Sequence, residues 1–548
     1  MSYSSLFIGV ISTLLSSCIS ARVVKQLSYS TQFAGVTIEK PWYYKDLSSD
    51  SIPGISLERA KQEQLINKKG KKVLLALIDG DIDTQHEMIK DYLWKNEYEF
   101  PNNGLDDDLN GYIDDLNGWN FWGNRNTADI NDKSQYEYVR IINKLDPYFK
   151  NKSIDNISSD SLAMFQMYLK AKKRYQKEYD TQIVEMRSFI SELEEAYYHQ
   201  KDTILKVYPD LTFQIDSIKK IKSDNKRINT IKDNLIYYLN VDIENGIEGL
   251  KRRLSFDENC YLNFDFKDRF IVNDDVNDLF DVNYGNPKIN YPNHFGNHGT
   301  SVLSQITSIF KFVDNKNLKI MTLLTAVYGN EHDKDIALAI KYAVNNGAQI
   351  IVFTMSKEFS SHNEWVKEAI EYAASKDVLI IKAAGNYGYN LSLNDYYPND
   401  KNTDETEFVN NFINVGASTK NLNKNLIADF SCYSDKEVDI MAPGSEITIA
   451  IQNNQYEISD GTSFAAPIVA GIAALLKSYY PDLKAHEIKE ILMESGTVID
   501  LEVEIKDDLG NPKLVPFSSL SKSGKIVNAY NALIWAEHYT KEKKKKTK

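Results

Sequence analysis

Apolar and polar positions follow two different rhythms along this chain. Lys72-Val73-Leu74-Leu75-Ala76-Leu77-Ile78-Asp79 is a continuous apolar run closed by a carboxylate. Such a run predicts a strand buried on both faces, the habit of parallel sheets. Runs at 318–321, 349–353, 378–382, 413–417 and 439–444 continue the series. Between them, 335–345 and 364–376 carry apolar residues at helical spacing, and Gly347 closes the first. Strand–helix alternation predicts a mostly parallel central sheet covered on both sides, a three-layer α/β fold. The stretch 468–476, IVAGIAALL, is hydrophobic all round, so its helix is predicted to be buried at the centre. Further helices are predicted over 481–496 and near Leu533.

The rhythm changes over 129–272, which is rich in Lys, Glu, Ile and Tyr and nearly free of glycine. Leu162, Phe165, Tyr168 and Leu169 recur at helical spacing, as do Ile183, Met186, Phe189, Ile190, Leu193 and Tyr197, and then Ile218, Ile221, Ile228, Ile231 and Leu235. Three or four long amphipathic helices are predicted, with a break at Pro209. The α/β domain is therefore split into 57–128 and 273–540 by an all-α insertion at 129–272. Its apolar stripes either bury against one another or offer a platform for protein contacts. Residues 21–56 form an N-terminal extension, and the lysine-rich 541–548 is expected to be a solvated basic tail.

Composition narrows the function. A net charge of −13 argues against nucleic-acid binding, which calls for a basic footprint. The three cysteines include Cys18, and the two others, Cys260 and Cys432, are too few for a disulfide scaffold. Residues 1–20 have the form of a leader, with an apolar core from Leu6 to Leu15 that is too short to span a bilayer. Leu15-Ser16-Ser17-Cys18 resembles a bacterial lipobox, which implies a lipid anchor at Cys18. Cleavage near Ser20-Ala21 is the alternative. Either reading puts the chain outside the cytoplasm, lipid-anchored to a membrane or secreted. No other stretch is expected to reach transmembrane length.

The candidate chemistry gathers on Asp460-Gly461-Thr462-Ser463-Phe464-Ala465-Ala466-Pro467. Gly461 permits a sharp turn, and Ser463 opens the central helix, where unpaired N–H groups favour developing negative charge. Taken alone, such a serine is an N-cap. A serine nucleophile needs a base, an orienter for the base and an oxyanion hole. Asp79 ends the first apolar strand, His298 stands between Gly296-Asn297 and Gly299, and Asn386 ends the strand Ile380-Ile381-Lys382-Ala383-Ala384-Gly385. In open α/β sheets ligands bind beyond such strand ends.

The order Asp79, His298, Ser463, with the HGT, AAGN and GTSxAAP motifs around His298, Asn386 and Ser463, resembles the bacterial subtilases, the subtilisin-like serine proteases. The resemblance runs from about Trp42 to about Ala536, interrupted by the insertion. It implies a subtilisin-like fold and an endopeptidase acting on protein or peptide substrates through an acyl-enzyme. Ser463 would be the nucleophile, His298 the base, Asp79 its orienter and Asn386 an oxyanion donor. A catalytically impaired relative that binds partners through its helical insert is the alternative.

Several positions depart from the family pattern. Gly80-Asp81 follows Asp79 and brings a second carboxylate close to His298. Ser301 and Ser304 replace the usual histidine and glycine after His298. The substrate-strand segment is Thr354-Met355-Ser356-Lys357-Glu358, with charges that would alter which side chains fit. No cofactor is required. One metal expectation arises at 106–115, where Asp106, Asp108, Asn110 and Asp114 match positions 1, 3, 5 and 9 of an EF-hand-like loop, with Gly111 at position 6. Position 12 is Asn117 and not the bidentate glutamate, so the loop is either a structural calcium site or a self-capped turn.

Overall fold

The computed structural model describes residues 41–546, except 128, 130–132, 291–297, 326–327, 403 and 508–509. The leader with Cys18, most of the extension, Gly296-Asn297 and the last two residues lie outside the described residues. The chain divides into two compact units, one holding Tyr138–Phe266 and the other the described residues on either side of it.

The larger unit contains strands β1 (Val73–Asp79), β2 (Gly118–Asn120), β3 (Leu318–Leu324), β4 (Ile350–Phe353), β5 (Leu379–Ala383), β6 (Phe412–Ser418), β7 (Ile440–Pro443), β8 (Ile447–Ile451), β9 (Gln455–Ser459), β10 (Thr497–Val498), β11 (Glu502–Lys506), β12 (Pro512–Pro516) and β13 (Lys525–Ile526). Nine of them form one sheet in the order β10-β13-β7-β6-β5-β4-β1-β3-β2, parallel throughout except for β10 against β13. From β1 the order runs one way through β4 to β7 and the other way through β3 to β2. Asp79 thus stands at the carboxyl end of the strand where the order turns, the usual place for a site in an open α/β sheet.

The two faces of β1 explain its unbroken apolar sequence. Val73, Leu75 and Leu77 join one core with Val302, Ile306, Ile468 and Ile472. Ala76 and Ile78 join the other with Met321, Leu323, Ile336, Ile340 and Ile370. Helices His298–Phe312 and Thr462–Tyr479 cover the first face, and Asp333–Asn345 and Asn363–Ser375 the second. A Cβ on Gly471 would stand 2.6 Å from Ile309 Cδ1, so the two helices of the first face approach as closely as a glycine allows. The Thr462–Tyr479 helix does meet the length and hydropathy of a membrane span, contrary to expectation, but 94% of that window is buried in the unit. Its apolarity is that of a central core helix.

Other expectations are revised. Part of the extension packs into the α/β core: Tyr43, Tyr44 and Ile55 share the first core with Leu57, and Ile55 O accepts a backbone hydrogen bond from Ala529 N at 2.8 Å. The helix expected over 481–496 is Ala485–Glu494, started by the Glu487 carboxylate, which accepts from Lys484 N at 2.8 Å. The basic tail is helical for most of its length, in Ala529–Lys546, with Lys541 paired to Glu537 and Lys543 to Glu487, each at 2.6 Å. The β8–β9 hairpin was not anticipated. Asn453 and Asn454 turn it in left-handed conformations that asparagine tolerates.

The smaller unit is all-α, with long helices Leu162–Glu178, Met186–Val207, Lys226–Asn240 and Ile243–Phe256. A π-helical turn, Tyr179–Glu185, joins the first two without a break. Met186, Ile190, Tyr197, Ile218, Ile228, Ile231 and Leu235 form its core, while Leu169 is exposed. The unit is shorter than 129–272 because its flanks are tied into the larger unit. Ser134 Oγ donates to Asp268 at 3.2 Å, and Arg269 grips Asp335 and Asp274 at 2.8 and 2.6 Å.

Candidate active site

Two polar clusters lie at the carboxyl ends of β1 and β5. In the first, His298 Nδ1 donates to Asp79 Oδ1 at 2.7 Å. Gly80 N donates to the same oxygen at 2.6 Å, and Thr354 Oγ1 donates to Oδ2. Asp79 is fully buried. Burial alone would raise its pKa, but the His298 charge and these three bonds outweigh it and hold the carboxyl below its ordinary value. The bond to Nδ1 fixes the tautomer, so the neutral imidazole presents Nε2 as an acceptor. Burial opposes the charged imidazole, yet Asp79, with smaller pushes from Asp81 and Glu331, lifts the His298 pKa above its ordinary 6.5. The His298 side chain remains 36% exposed.

The second cluster is built on the start of the Thr462–Tyr479 helix. Its N-cap is Gly461, so Ser463 lies inside the first turn and its hydroxyl is not a cap. Gly385 N donates to Thr462 Oγ1 at 3.2 Å, and Thr462 Oγ1 donates to Asn386 Oδ1 at 2.8 Å. Thr462 N donates to the same Oδ1 at 2.9 Å. With its oxygen taken twice, the Asn386 amide must turn Nδ2 the other way, and Nδ2 lies 3.7 Å from the Cβ position of Gly461. Phe464 N bonds Gly461 O, so among the described residues Ser463 N is left as an unpaired donor of the first turn.

The clusters meet where the His298 and Phe464 rings stand 6.2 Å apart. Ser463, next to Phe464, is 7% exposed. Among the described residues no hydrogen bond joins its Oγ to His298, a looseness common in unliganded sites. The sequence missed two supporting residues, Thr354 and Thr462. Thr462 sits in the GTS motif, and its small hydroxyl between a glycine and a serine was the available signal. Nothing in the sequence pairs Thr354 with Asp79.

The departures from the family pattern resolve individually. Lys357 does not face a substrate: it is buried, its Nζ bonding Asp333 at 2.8 Å, Glu137 at 3.2 Å and the Glu331 carbonyl at 2.7 Å. Only Glu358 of the two charges is half-exposed. Ser304 causes no strain: its Oγ donates to Ser301 O at 2.6 Å and accepts from Ala450 N at 3.1 Å, stitching the helix to β8. In the acidic loop, Asp106 accepts from Asn110 N and Gly111 N at 3.0 and 2.8 Å, and Asn117 Nδ2 donates to Trp94 O. Ligand atoms of Glu99, Asp106 and Asp108 lie within 4.8 Å of one another. Cys260 and Cys432 are both buried, and among the described residues neither is in a disulfide. A cavity of about 500 Å³ between Gly347, Gln349, Tyr372 and Lys376 opens at the amino ends of β4 and β5, away from these clusters.

The model of the subtilase family matches residues 70–515. The chain is 31% identical over 207 residues to subtilisin DY of Bacillus licheniformis, covering 36% of this chain and 70% of that protein. It is 34% identical over 194 residues to a thermophilic serine proteinase of Bacillus sp. (strain AK1), covering 34% of this chain and 44% of that one. It is 36% identical over 194 residues to a cell wall-associated protease of Bacillus subtilis (strain 168), covering 34% and 20%. The match thus spans less than half the length of the last two relatives. A solved lanthipeptide protease is similar at 23% identity and a TM-score of 0.35, over 45% of this chain and 78% of that one. With the family model matched across most of its length, this chain belongs to the subtilase family.

Proposed function

We propose that the chain is a serine endopeptidase that cleaves proteins or peptides through an acyl-enzyme. Ser463 Oγ attacks the scissile carbonyl while His298 Nε2 takes its proton, and the imidazolium then gives that proton to the leaving amine. Asp79 keeps the tautomer and stabilises the imidazolium. The oxygen of the tetrahedral intermediate accepts from Asn386 Nδ2 and Ser463 N, and water later releases the acyl group by the same steps. An extended substrate would add as a strand beside 354–358.

The observation that supports this most is the 2.7 Å bond from His298 Nδ1 to a buried, ionised Asp79, which leaves Nε2 free to act as a base. Hydrolysis of a fluorogenic peptide library tests it. The wild type should turn over and Ser463→Ala should not; no turnover by folded wild type, or equal turnover by both, sinks the reading.

Three finer proposals accompany it. Lipidation of Cys18 outside the cytoplasm rests on the Leu15–Cys18 sequence, and mass spectrometry of the membrane fraction tests it. Protein contacts through the helical unit rest on exposed Tyr198 and Tyr237; serine at both should weaken cleavage of protein but not of peptides. Calcium at 106–115 rests on the convergence of Glu99, Asp106 and Asp108, and should raise the melting temperature.

A further inference from the structure

The reaction proposed above uses Asp79 and gives its neighbour Asp81 nothing to do. Asp81 is 1% exposed, and among the described residues neither carboxyl oxygen has a hydrogen-bond partner. Buried polar groups are normally satisfied, and a buried carboxylate without a cap, an ion pair or a donor is costly to keep. Its position supplies a reason. Asp81 lies two residues beyond Asp79 in the turn that leaves β1, and that turn packs on the residue following the imidazole. A Cβ on Gly299 would stand 2.8 Å from the Asp81 carbonyl, 2.9 Å from the Gly80 carbonyl and 2.7 Å from Ile82 Cγ1.

The groups arrayed around the imidazole come from every side. Asp79 and Asp81 come from the end of β1, Thr354 from beyond β4, Glu331 from before the Asp333–Asn345 helix, and Phe464 from the central helix. Asp83, further along the same turn, is tied to the His298 helix by its N–H, which donates to Thr300 Oγ1 at 2.7 Å. The carboxylates of Asp79, Asp81 and Glu331 all act on His298 in one sense, favouring its protonated form.

We propose that Asp81 is a positioning residue for the histidine, a second buried carboxylate whose charge joins that of Asp79 in stabilising the imidazolium formed when Ser463 gives up its proton. Asp81 exchanges no proton in the cycle and touches no substrate. Its help lasts only while it is ionised. Burial and the nearby Asp79 push its carboxyl up to about 6, so the help fades on the acid side of neutrality.

This rests on the endopeptidase reading, and its test is read in two ways so that the two can fail separately. Asp81→Asn should lower kcat/KM at about pH 8, where the imidazolium loses a counter-charge, and move the acid limb to lower pH. With the limb displaced by roughly half a unit while Asp81 is ionised, the ratio of kcat/KM at about pH 6.5 to that at about pH 8 rises roughly twofold. The His298 imidazole titration, followed by NMR in a Ser463→Ala background, should move down with it. Asp81→Gly, which removes the side chain outright, must give the same downward displacement, so poor folding of one variant does not rescue the idea. If the wild type cleaves peptides and neither limb nor titration moves, Asp81 has no such role and the endopeptidase reading stands. If the titration moves but the wild type cleaves nothing, Asp81 acts on His298 and the endopeptidase reading falls.

Discussion

Replacing Asp81 with asparagine should shift the stability balance towards the variant as pH rises. In the unfolded chain an aspartate releases its proton near 3.8, whereas in the folded protein burial and Asp79 hold Asp81 protonated up to about 6. Between those values the folded state keeps a proton that the unfolded state has lost, so stability falls as pH rises through the window. Above about 6 the deficit is constant. At about 1.36 kcal/mol per pH unit it amounts to about 3 kcal/mol, because the side chain is almost fully buried and solvent screens little of it. Asparagine does not titrate. The stability difference between variant and wild type should therefore be about 2–3 kcal/mol more favourable to the variant at about pH 8 than at about pH 4, whatever the amide costs in packing. Urea unfolding in a Ser463→Ala background, where self-digestion cannot interfere, measures both. An equal difference at the two pH values, or one more adverse at pH 8, would refute the assignment of Asp81 as a buried carboxylate raised by its surroundings.

Other outcomes follow from the same geometry. Asn386→Ala should lower kcat roughly 10²–10³-fold with KM little changed, a magnitude that comes from the corresponding donor in subtilisin itself; a KM effect alone would assign Asn386 to substrate binding instead. Activity should fall as pH drops through the raised pKa of His298, since only the neutral imidazole can accept a proton, and a kcat/KM acid limb below about 6.5 would contradict the upward direction. Gly118→Ala should cost roughly 2–4 kcal/mol by urea unfolding, because φ is 132° and the new Cβ would stand 1.9 Å from the Thr322 carbonyl; no measurable loss would mean that β2 can move away.

The parts of the fold legible in the sequence were those where one pattern has one solution. A run such as Lys72–Asp79 has no polar face, so it must be a doubly buried strand, and the alternating cores of β1 are the result. The strand end before Asn386 and the helix start around Ser463 were legible because apolar runs stop or begin there. What the sequence hid depends on distant partners. The extension's Tyr44 and Ile55 join the main core through contacts with residues near 308 and 529, which no local pattern announces. Lys357 looked like a substrate contact because a lysine is usually exposed. Its carboxylate partners Glu137 and Asp333 come from elsewhere in the chain and draw it inward. The β8–β9 hairpin is short and half polar, and Asn453-Asn454 was its one turn signal.

The central claim is that the His298–Asp79 pair makes the Ser463 hydroxyl nucleophilic. Labelling with a fluorophosphonate, with the adduct mapped by peptide mass, tests it most directly. The account predicts one adduct, on Ser463, formed by the wild type and not by His298→Ala at the same probe concentration. Labelling that persists at the same rate in His298→Ala, or an adduct on another residue, would contradict it.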